Sequence, residues 1–242
     1  MPERFADIDG ARIWLAETGE GDPLILCNGG PGCCDYLEPV ASMIDDRALV
    51  YRWEQRGCGR SSDDGRFDLA TTLSDLEGLR AGLGHERWIV GGHSWGGTLA
   101  LIYAITYPHR TRAAIAIASA GLQNDRSWSD AYHVGRDAGL DQVPPMAYPY
   151  NREVNQVMNA DVKAYIRRPR LWRELADLQV PVLIVDGADD IRPSWPKEQI
   201  AHLLPHGTYL SIDGAGHCPW LTHPDDLRNT LTTFLSDLDP LP

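Results

Sequence analysis

The feature that most constrains the fold is the segment Gly91–Gly97, with the sequence GGHSWGG. It follows the apolar run Trp88–Val90 and leads into the apolar run Thr98–Ala104. A short strand that passes through Gly-x-Ser-x-Gly into a helix is typical of a nucleophile elbow, in which a tight turn exposes the serine hydroxyl. We therefore predict that Ser94 is a nucleophile. Its place at the N-terminal end of a helix would also suit a developing oxyanion.

A serine nucleophile needs a base and an acid that orients the base. In a fold with this turn, the acid and then the histidine follow the serine along the chain. The apolar, β-branched run Val180–Val185 predicts a buried parallel strand, and three carboxylates follow it. Asp186 should still lie in the strand, so Asp189 and Asp190 compete. Asp190 lies farther into the loop, and we predict it as the acid.

His217 is the best candidate for the base among the eight histidines of the chain. It ends a glycine-rich loop behind the last predicted strand, and there it could take the serine proton and return it to the leaving group. His93 is interpreted as part of the nucleophile turn. His202 and His206 are interpreted as structural, because Pro205 would break the helix that a metal-binding pair requires.

Acyl transfer also requires donors for an oxyanion. A predicted strand at Pro23–Cys27 leads into the loop Asn28–Gly32, with the sequence NGGPG. One N–H from such a loop and the N–H of the residue after the nucleophile usually form the oxyanion hole. We assign these donors to Gly30 and Trp95. The alternative for the loop is an ordinary Gly-Pro turn.

The remaining patterns predict an α/β fold, with a mostly parallel, doubly wound sheet preceded by an antiparallel hairpin over residues 5–15. Strands are predicted at Ala48–Trp53 and Ala113–Ala118, with an amphipathic helix around Leu73–Leu83 between them. The final helix is predicted over Asp225–Leu238. A length of 242 residues fits a single domain.

The segment at about 121–178 differs from the rest in being polar and aromatic and interrupted by prolines. We predict a small lid insertion here and call it the lid segment. Helical spacing relates four of its apolar residues, Val154, Val157, Met158 and Tyr165. Two interpretations stay open at this point, a packed surface helix and a lid whose underside lines a substrate pocket.

Composition limits the partners. A net charge of −12 disfavours nucleic acid and anionic membranes, and no apolar run reaches the roughly 18 residues of a membrane span. The N-terminus shows no signal peptide, and five cysteines without a zinc-type spacing suggest reduced thiols in a cytoplasm. We expect a cytoplasmic protein that acts on a small molecule or short peptide without a metal or organic cofactor. Its oligomeric state is open. Cys218 beside His217 is a less favoured nucleophile.

Several motifs resemble those of the proline iminopeptidases, a branch of the α/β-hydrolase superfamily. NGGPG is similar to the family's His-Gly-Gly-Pro-Gly, and residues 54–61 resemble its Asp-Gln-Arg-Gly-x-Gly-x-Ser. Residues 91–97 are close to its Gly-Gly-x-Ser-Trp-Gly turn. Residues 187–190 and 214–217 match its Gly-x-x-Asp and Gly-x-Gly-His loops. The resemblance implies an α/β-hydrolase fold and serine hydrolysis.

The chain departs from the family pattern at Asn28, where the family has histidine, and at Glu54, where it has aspartate. The lid segment is also shorter than the family's helical cap, whose acidic residues grip the substrate's free amine. The resemblance implies release of an N-terminal residue from small peptides or amides. We predict Glu54 and Glu153 as substrate-binding residues, since a buried ammonium needs an anion. The other lid carboxylates considered are Asp125, Asp130, Asp141 and Asp161.

Two other functions stay open at this point. A small lid leaves the pocket less closed, which favours a carboxylesterase, thioesterase or lactonase acting on a small acyl substrate. A ligand-binding protein on a hydrolase scaffold is a third possibility, and the intact set of catalytic residue types argues against it.

Overall fold

A computed structural model describes residues 3–123 and 125–238. Eight strands form one sheet in the spatial order β1-β2-β4-β3-β5-β6-β7-β8. The strands are β1 (Glu3–Ile8), β2 (Ala11–Thr18), β3 (Asp22–Cys27), β4 (Ala48–Trp53), β5 (Trp88–His93), β6 (Thr111–Ile117), β7 (Val182–Gly187) and β8 (Gly207–Ile212). The α-helices are α1 (Glu38–Ser42), α2 (Leu69–Gly82), α3 (Trp95–Thr106), α4 (Arg126–Asp137), α5 (Arg152–Ile166), α6 (Leu171–Asp177), α7 (Trp195–Leu203), α8 (Pro219–Thr222) and α9 (Pro224–Ser236).

The sheet begins with two antiparallel pairings, β1 with β2 and β2 with β4. The pairings from β4 across to β8 are parallel. The turn between β1 and β2 contains Asp9 and Gly10, both at positive φ (47° and 80°), as a two-residue hairpin turn requires. The α/β class, the parallel sheet and the N-terminal hairpin are therefore confirmed.

The order of the strands fixes where a site can form. The chain passes from β3 outward to β4 on one side and then returns to β5 on the other side of β3. Ligands of open α/β sheets bind at such a reversal, outside the carboxyl ends of the strands. Cys27 at the end of β3 pairs with Gly92 near the end of β5, so the loops that follow these strands start side by side.

Helices cover both faces of the sheet, and the central strands between them are buried. This explains the long apolar runs of the sequence. Every residue of β5, β6 and β7 is buried, as continuous apolar strands predict. One face packs against α2, α3 and α5, and the other against α1 and α9. Helix α3 runs through the core, with Leu99–Ala104 wholly inaccessible to solvent. This rigid core fixes the position of the helix that follows Ser94.

The lid segment lies between β6 and β7 and carries α4, α5 and α6. Val154 and Met158 of α5 are buried in the main core, and Val157 and Tyr165 pack partly against it. The surface-helix interpretation of this spacing is therefore confirmed. The same helix also lines the cavity beside Ser94. That the lid segment covers a substrate pocket stays a prediction.

Candidate active site

Ser94 occupies a strained position between β5 and α3. Its φ and ψ are 56° and −120°, a backbone conformation that residues other than glycine adopt only when their surroundings impose it. Its N–H donates to the Ile117 carbonyl at 2.8 Å, and its own carbonyl accepts from the Gly97 N–H at 3.1 Å. These bonds to β6 and α3 hold the turn in the predicted elbow geometry.

The two glycines that flank Ser94 are required by close backbone contacts. A Cβ on Gly92 would collide with the backbone of Gly96. A Cβ on Gly96 would collide with the carbonyl of Cys27 at the end of β3. Glycine at both positions lets the nucleophile turn (residues 91–97) press against the neighbouring strand.

The base and the acid predicted from the sequence lie side by side. His217 Nδ1 is 2.7 Å from Asp190 Oδ2, and the two side chains are only 5% and 1% exposed. Asp190 follows β7 and His217 follows β8, so adjacent parallel strands bring them together. Asp186 lies within β7, as expected, and pairs instead with Lys197, whereas Asp189 is exposed. Of the three candidate acids, Asp190 is the one that reaches the histidine.

The surroundings favour a carboxylate at Asp190 and a neutral imidazole at His217. Burial by itself raises the pKa of Asp190, but the hydrogen bond with His217 and the charge of Arg192 more than offset it and hold that pKa below its usual range. Burial lowers the pKa of His217 below 6.5, although Asp190 acts in the opposite direction. Because a carboxylate can only accept, Nδ1 carries the imidazole proton, and Nε2 is left to accept one.

A buried chain of hydrogen bonds links the base to the loop after β3. The Gly29 N–H donates to Tyr36 Oη at 2.7 Å, and Tyr36 Oη lies 2.7 Å from His93 Nδ1. His93 Nε2 lies 2.8 Å from the carbonyl of His217, which can only accept. His93 therefore carries its proton on Nε2, and Tyr36 donates to Nδ1. Burial is the main cause that holds the pKa of His93 well below its usual range, so its imidazole is neutral in this chain of hydrogen bonds.

The sequence pattern places His93 in the nucleophile turn and gives no indication of Tyr36. The chain of bonds gives both residues a definite role, since they tie the backbone of His217 to the loop after β3. Trp220 packs edge-on against His93 at 4.6 Å between ring centroids and stacks with Tyr36. These partners are far apart in the sequence, so no local pattern could indicate them.

Gly30 and Trp95, the predicted oxyanion donors, line a cavity together with Ser94. The N–H of Gly29 is already bonded to Tyr36, which leaves Gly30 as the next donor along the loop. Trp95 is the first residue of α3, where N–H groups have no partner within the helix. The arrangement is compatible with the predicted oxyanion hole.

Helix α5 of the lid segment holds the loop that carries Gly30. Asn155 Nδ2 donates to the carbonyls of Gly30 and Pro31 at 3.0 and 3.1 Å. The Asn151 N–H donates to the Gly32 carbonyl at 2.9 Å. The lid segment thus buttresses the predicted oxyanion loop, a contact that the sequence did not indicate.

The cavity beside Ser94 has a volume of about 500 Å³. The lid segment supplies most of its wall. Its lining includes one carboxylate, two cationic side chains, three amides and three aromatic rings apart from Trp95. These residues are Asp125, Lys163, Arg192, Gln123, Asn155, Asn159, Trp128, Tyr132 and Tyr150. A polar cavity of this size can hold a small acyl substrate.

The structure places neither predicted substrate-binding residue at this cavity. Glu54 is fully buried, where it accepts hydrogen bonds from the N–H of Asp35 at 2.9 Å and pairs with Arg60 at 2.8 Å. These partners satisfy its carboxylate and leave none of it for a ligand. Glu153 is exposed on the first turn of α5 and does not line the cavity. The sequence puts Glu54 in a motif and Glu153 in the lid segment, but side-chain direction decides what they contact.

Of the other lid carboxylates considered, three do not line the cavity and one does. Asp141 pairs with Arg192 at 2.9 Å, and Asp161 accepts from the Leu69 N–H at 2.9 Å. Asp130 is exposed on α4 and does not line the cavity. Asp125 is the carboxylate that does line it.

Cys218, the less favoured nucleophile, is fully buried. Burial raises the pKa of its thiol to about 12, so it carries no thiolate at neutral pH. Over residues 3–123 and 125–238, no group of three or more histidine, cysteine, aspartate or glutamate side chains is placed to hold a metal ion. In the same residues, no helix combines the length and the apolar character needed to cross a membrane.

Comparison with known proteins agrees with the fold. A family model described as the alpha/beta hydrolase fold matches residues 22–137. Among solved structures, a meta-cleavage product hydrolase from Pseudomonas fluorescens superposes with a TM-score of 0.79 at 16% identity, over 98% of each chain. The chain has the α/β-hydrolase fold.

Two curated relatives with similar sequences are both proline iminopeptidases. The proline iminopeptidase of Xylella fastidiosa is 38% identical over 110 residues, which are 43% of this chain and 34% of that protein. The proline iminopeptidase of Lactobacillus delbrueckii subsp. lactis is 26% identical over 93% of this chain and 94% of that protein. The chain thus aligns with about a third of the first relative and nearly all of the second. Its sequence is proline iminopeptidase-like.

The alignment with the Lactobacillus relative is 280 positions long, which exceeds the 242 residues of this chain. That relative therefore contains segments that have no counterpart here.

Proposed function

We propose that this chain is a serine hydrolase that acts through an acyl-enzyme on Ser94, with His217 as the base and Asp190 as the orienting acid. The observation that carries the proposal is the buried hydrogen bond of 2.7 Å between His217 Nδ1 and Asp190 Oδ2. This bond fixes the tautomer in which Nε2 carries no proton and can accept one from the serine.

The reaction follows from these positions. Ser94 Oγ attacks the carbonyl carbon of the substrate while His217 Nε2 takes its proton, and Asp190 stabilises the imidazolium that forms. The N–H groups of Gly30 and Trp95 donate to the oxyanion of the tetrahedral intermediate. His217 then gives the proton to the leaving group, which departs and leaves an ester on Ser94. A water molecule activated by His217 hydrolyses that ester by the same steps.

For the acyl donor, we favour a small peptide or amide with a free N-terminal residue. The resemblance to the proline iminopeptidases supports it, and so does Asp125 in the cavity wall. Asp125 caps α4 by accepting from the N–H groups of Ser127 and Trp128, at 2.7 and 3.2 Å, and both bonds use Oδ1. Oδ2 is left for an ammonium group. Asp125 replaces Glu54 and Glu153 in this role.

The alternative acyl donor is a small carboxylic ester, thioester or lactone. One observation favours it, since neither Glu54 nor Glu153 lines the cavity and Asp125 is only partly buried. An ammonium held by one partly exposed carboxylate gains little over its hydration in water.

A panel of substrates separates the two. Proline, alanine and leucine arylamides with a free amine should be cleaved at least tenfold better in kcat/KM than their N-acetylated forms, because an ion pair with Asp125 is lost on blocking. Asp125→Asn should reduce that preference, with Asp130→Asn as the matched lid control. Equal rates for free and blocked amides, or turnover of p-nitrophenyl esters alone, would contradict the peptidase hypothesis and support the esterase hypothesis.

A further inference from the structure

Arg192 forms ion pairs with two carboxylates through the same guanidinium nitrogen, Nη1. Nη1 lies 3.1 Å from Asp190 Oδ1 and 2.9 Å from Asp141 Oδ1. The three side chains are 10%, 1% and 16% exposed, in the order Arg192, Asp190 and Asp141. Such a buried ion-pair chain is costly to assemble, and removing one member leaves an uncompensated charge.

Arg192 fixes the orientation of the predicted triad acid. The backbone N–H of Arg192 also donates to Asp190 Oδ1, at 3.0 Å. One carboxylate oxygen of Asp190 is thus bonded twice by Arg192, and the other is left for His217. The side chain of Asp190 cannot rotate without breaking bonds on both oxygens.

Asp141 comes from a different part of the chain, the stretch of the lid segment between α4 and α5. The next residue, Gln142, accepts from the Cys218 N–H through Oε1 at 3.1 Å. The lid therefore contacts the acid loop through Asp141 and the base loop through Gln142. The lid segment therefore supplies the second carboxylate of Arg192.

The charges that face His217 alternate in sign along this chain. Asp190 is negative, Arg192 positive and Asp141 negative. Of the other titratable groups next to His217, His93 is neutral because burial lowers its pKa, and Cys218 is a neutral thiol. Arg192 disfavours the imidazolium, and both carboxylates favour it. Removing either distal charge should therefore change the basicity of His217, in opposite directions.

We propose that Arg192 is a positioning residue for Asp190, and that Asp141 is a counter-charge carried by the lid which sets the basicity of His217. Arg192 holds the acid in place but puts a cation near the base, and Asp141 offsets that cation. This inference rests on the proposed function, because it assigns His217 and Asp190 the roles given above.

The test compares Asp141→Asn, Arg192→Gln and Arg192→Lys with the wild type, and Asp130→Asn serves as a control that removes an exposed lid carboxylate. The pKa of His217 is measured by NMR titration of its ring, which needs no activity. The pH dependence of labelling by a fluorophosphonate is measured in parallel. In both, Asp141→Asn should move the His217 titration to lower pH and Arg192→Gln to higher pH, each by about 0.5–1 pH unit.

Arg192→Lys keeps the charge but loses the planar guanidinium group, whose Nη1 bonds both Asp190 and Asp141. It should leave the titration within about 0.3 unit of the wild type, yet slow labelling at saturating pH by roughly tenfold. This variant and Asp141→Asn also keep the proposal testable should Arg192→Gln not fold.

Shifts in the same direction for Asp141→Asn and Arg192→Gln, or an Asp141→Asn shift no larger than that of Asp130→Asn, would overturn the proposal. Opposite shifts in the NMR titration without labelling of any variant would support the ion-pair chain and contradict the serine hydrolase mechanism. Labelling of every variant, with the His217 titration unchanged in all of them, would support the serine hydrolase mechanism and contradict the proposed role of the ion pairs.

Discussion

The nucleophile turn and the lid segment contribute to the same cavity, but they are held in different ways. The turn is positioned by backbone contacts, as Ser94 bonds to β6 and Gly96 packs against the end of β3. Apart from the backbone bond between Asn151 and Gly32, the lid is positioned by side chains such as Asn155 and Asp141, whose partners lie on distant loops. Backbone contacts leave a local sequence pattern, whereas long-range side-chain contacts do not.

The largest expected effect is the loss of turnover when the predicted nucleophile, which lies in the turn, is replaced. Ser94→Ala should lose about 10⁴-fold or more in turnover, because triad members act as a unit. Its urea unfolding should stay within about 1 kcal/mol of the wild type, since the change removes only a hydroxyl. Steady-state kinetics and equilibrium unfolding check the two halves, and wild-type turnover in the variant would place the chemistry elsewhere.

The next effect concerns stability and compares one glycine from each region. Gly96→Ala should destabilise the protein by about 3 kcal/mol or more, because the new methyl collides with backbone that cannot move aside. Gly139→Ala, in the lid segment, meets no atom within 4 Å and should cost only about 1 kcal/mol for its positive φ.

Urea unfolding of the two variants measures the difference. Equal losses would mean that backbone contact does not distinguish the turn from the lid.

A smaller effect should appear in the pH dependence. His217 must be neutral to accept a proton, so kcat/KM should rise as the pH rises through its pKa. Burial places that pKa below 6.5, and the rising limb should therefore have its midpoint on the acid side of 6.5. A pH–rate profile in a constant-ionic-strength buffer measures it, and a midpoint above 7 would contradict the neutral, buried base.

The sequence predicted the fold because its apolar runs, turn residues and glycines are local. The nucleophile turn, the buried strands and the hairpin at Asp9 and Gly10 are examples. The order of the motifs along the chain was enough to predict that Asp190 lies beside His217, because the two residues follow adjacent parallel strands.

The parts that the sequence did not predict depend on where side chains point. Glu54 was predicted as a ligand of the substrate, but Arg60 and two loop N–H groups occupy its carboxylate. His93 and Tyr36 join the base to the oxyanion loop through bonds across 57 and 124 residues of chain. Pairings over such separations have no periodic or compositional signal.

The central claim is that Ser94 is activated by His217 for attack on an acyl carbon. Mass spectrometry of the protein after reaction with a fluorophosphonate tests it most directly, because the reagent modifies a serine only when that serine is activated as a nucleophile. We predict one adduct per chain, mapped to the peptide that carries Ser94, absent in Ser94→Ala and at least a hundredfold slower in His217→Ala. An adduct on another residue, or equal labelling of His217→Ala, would contradict the account.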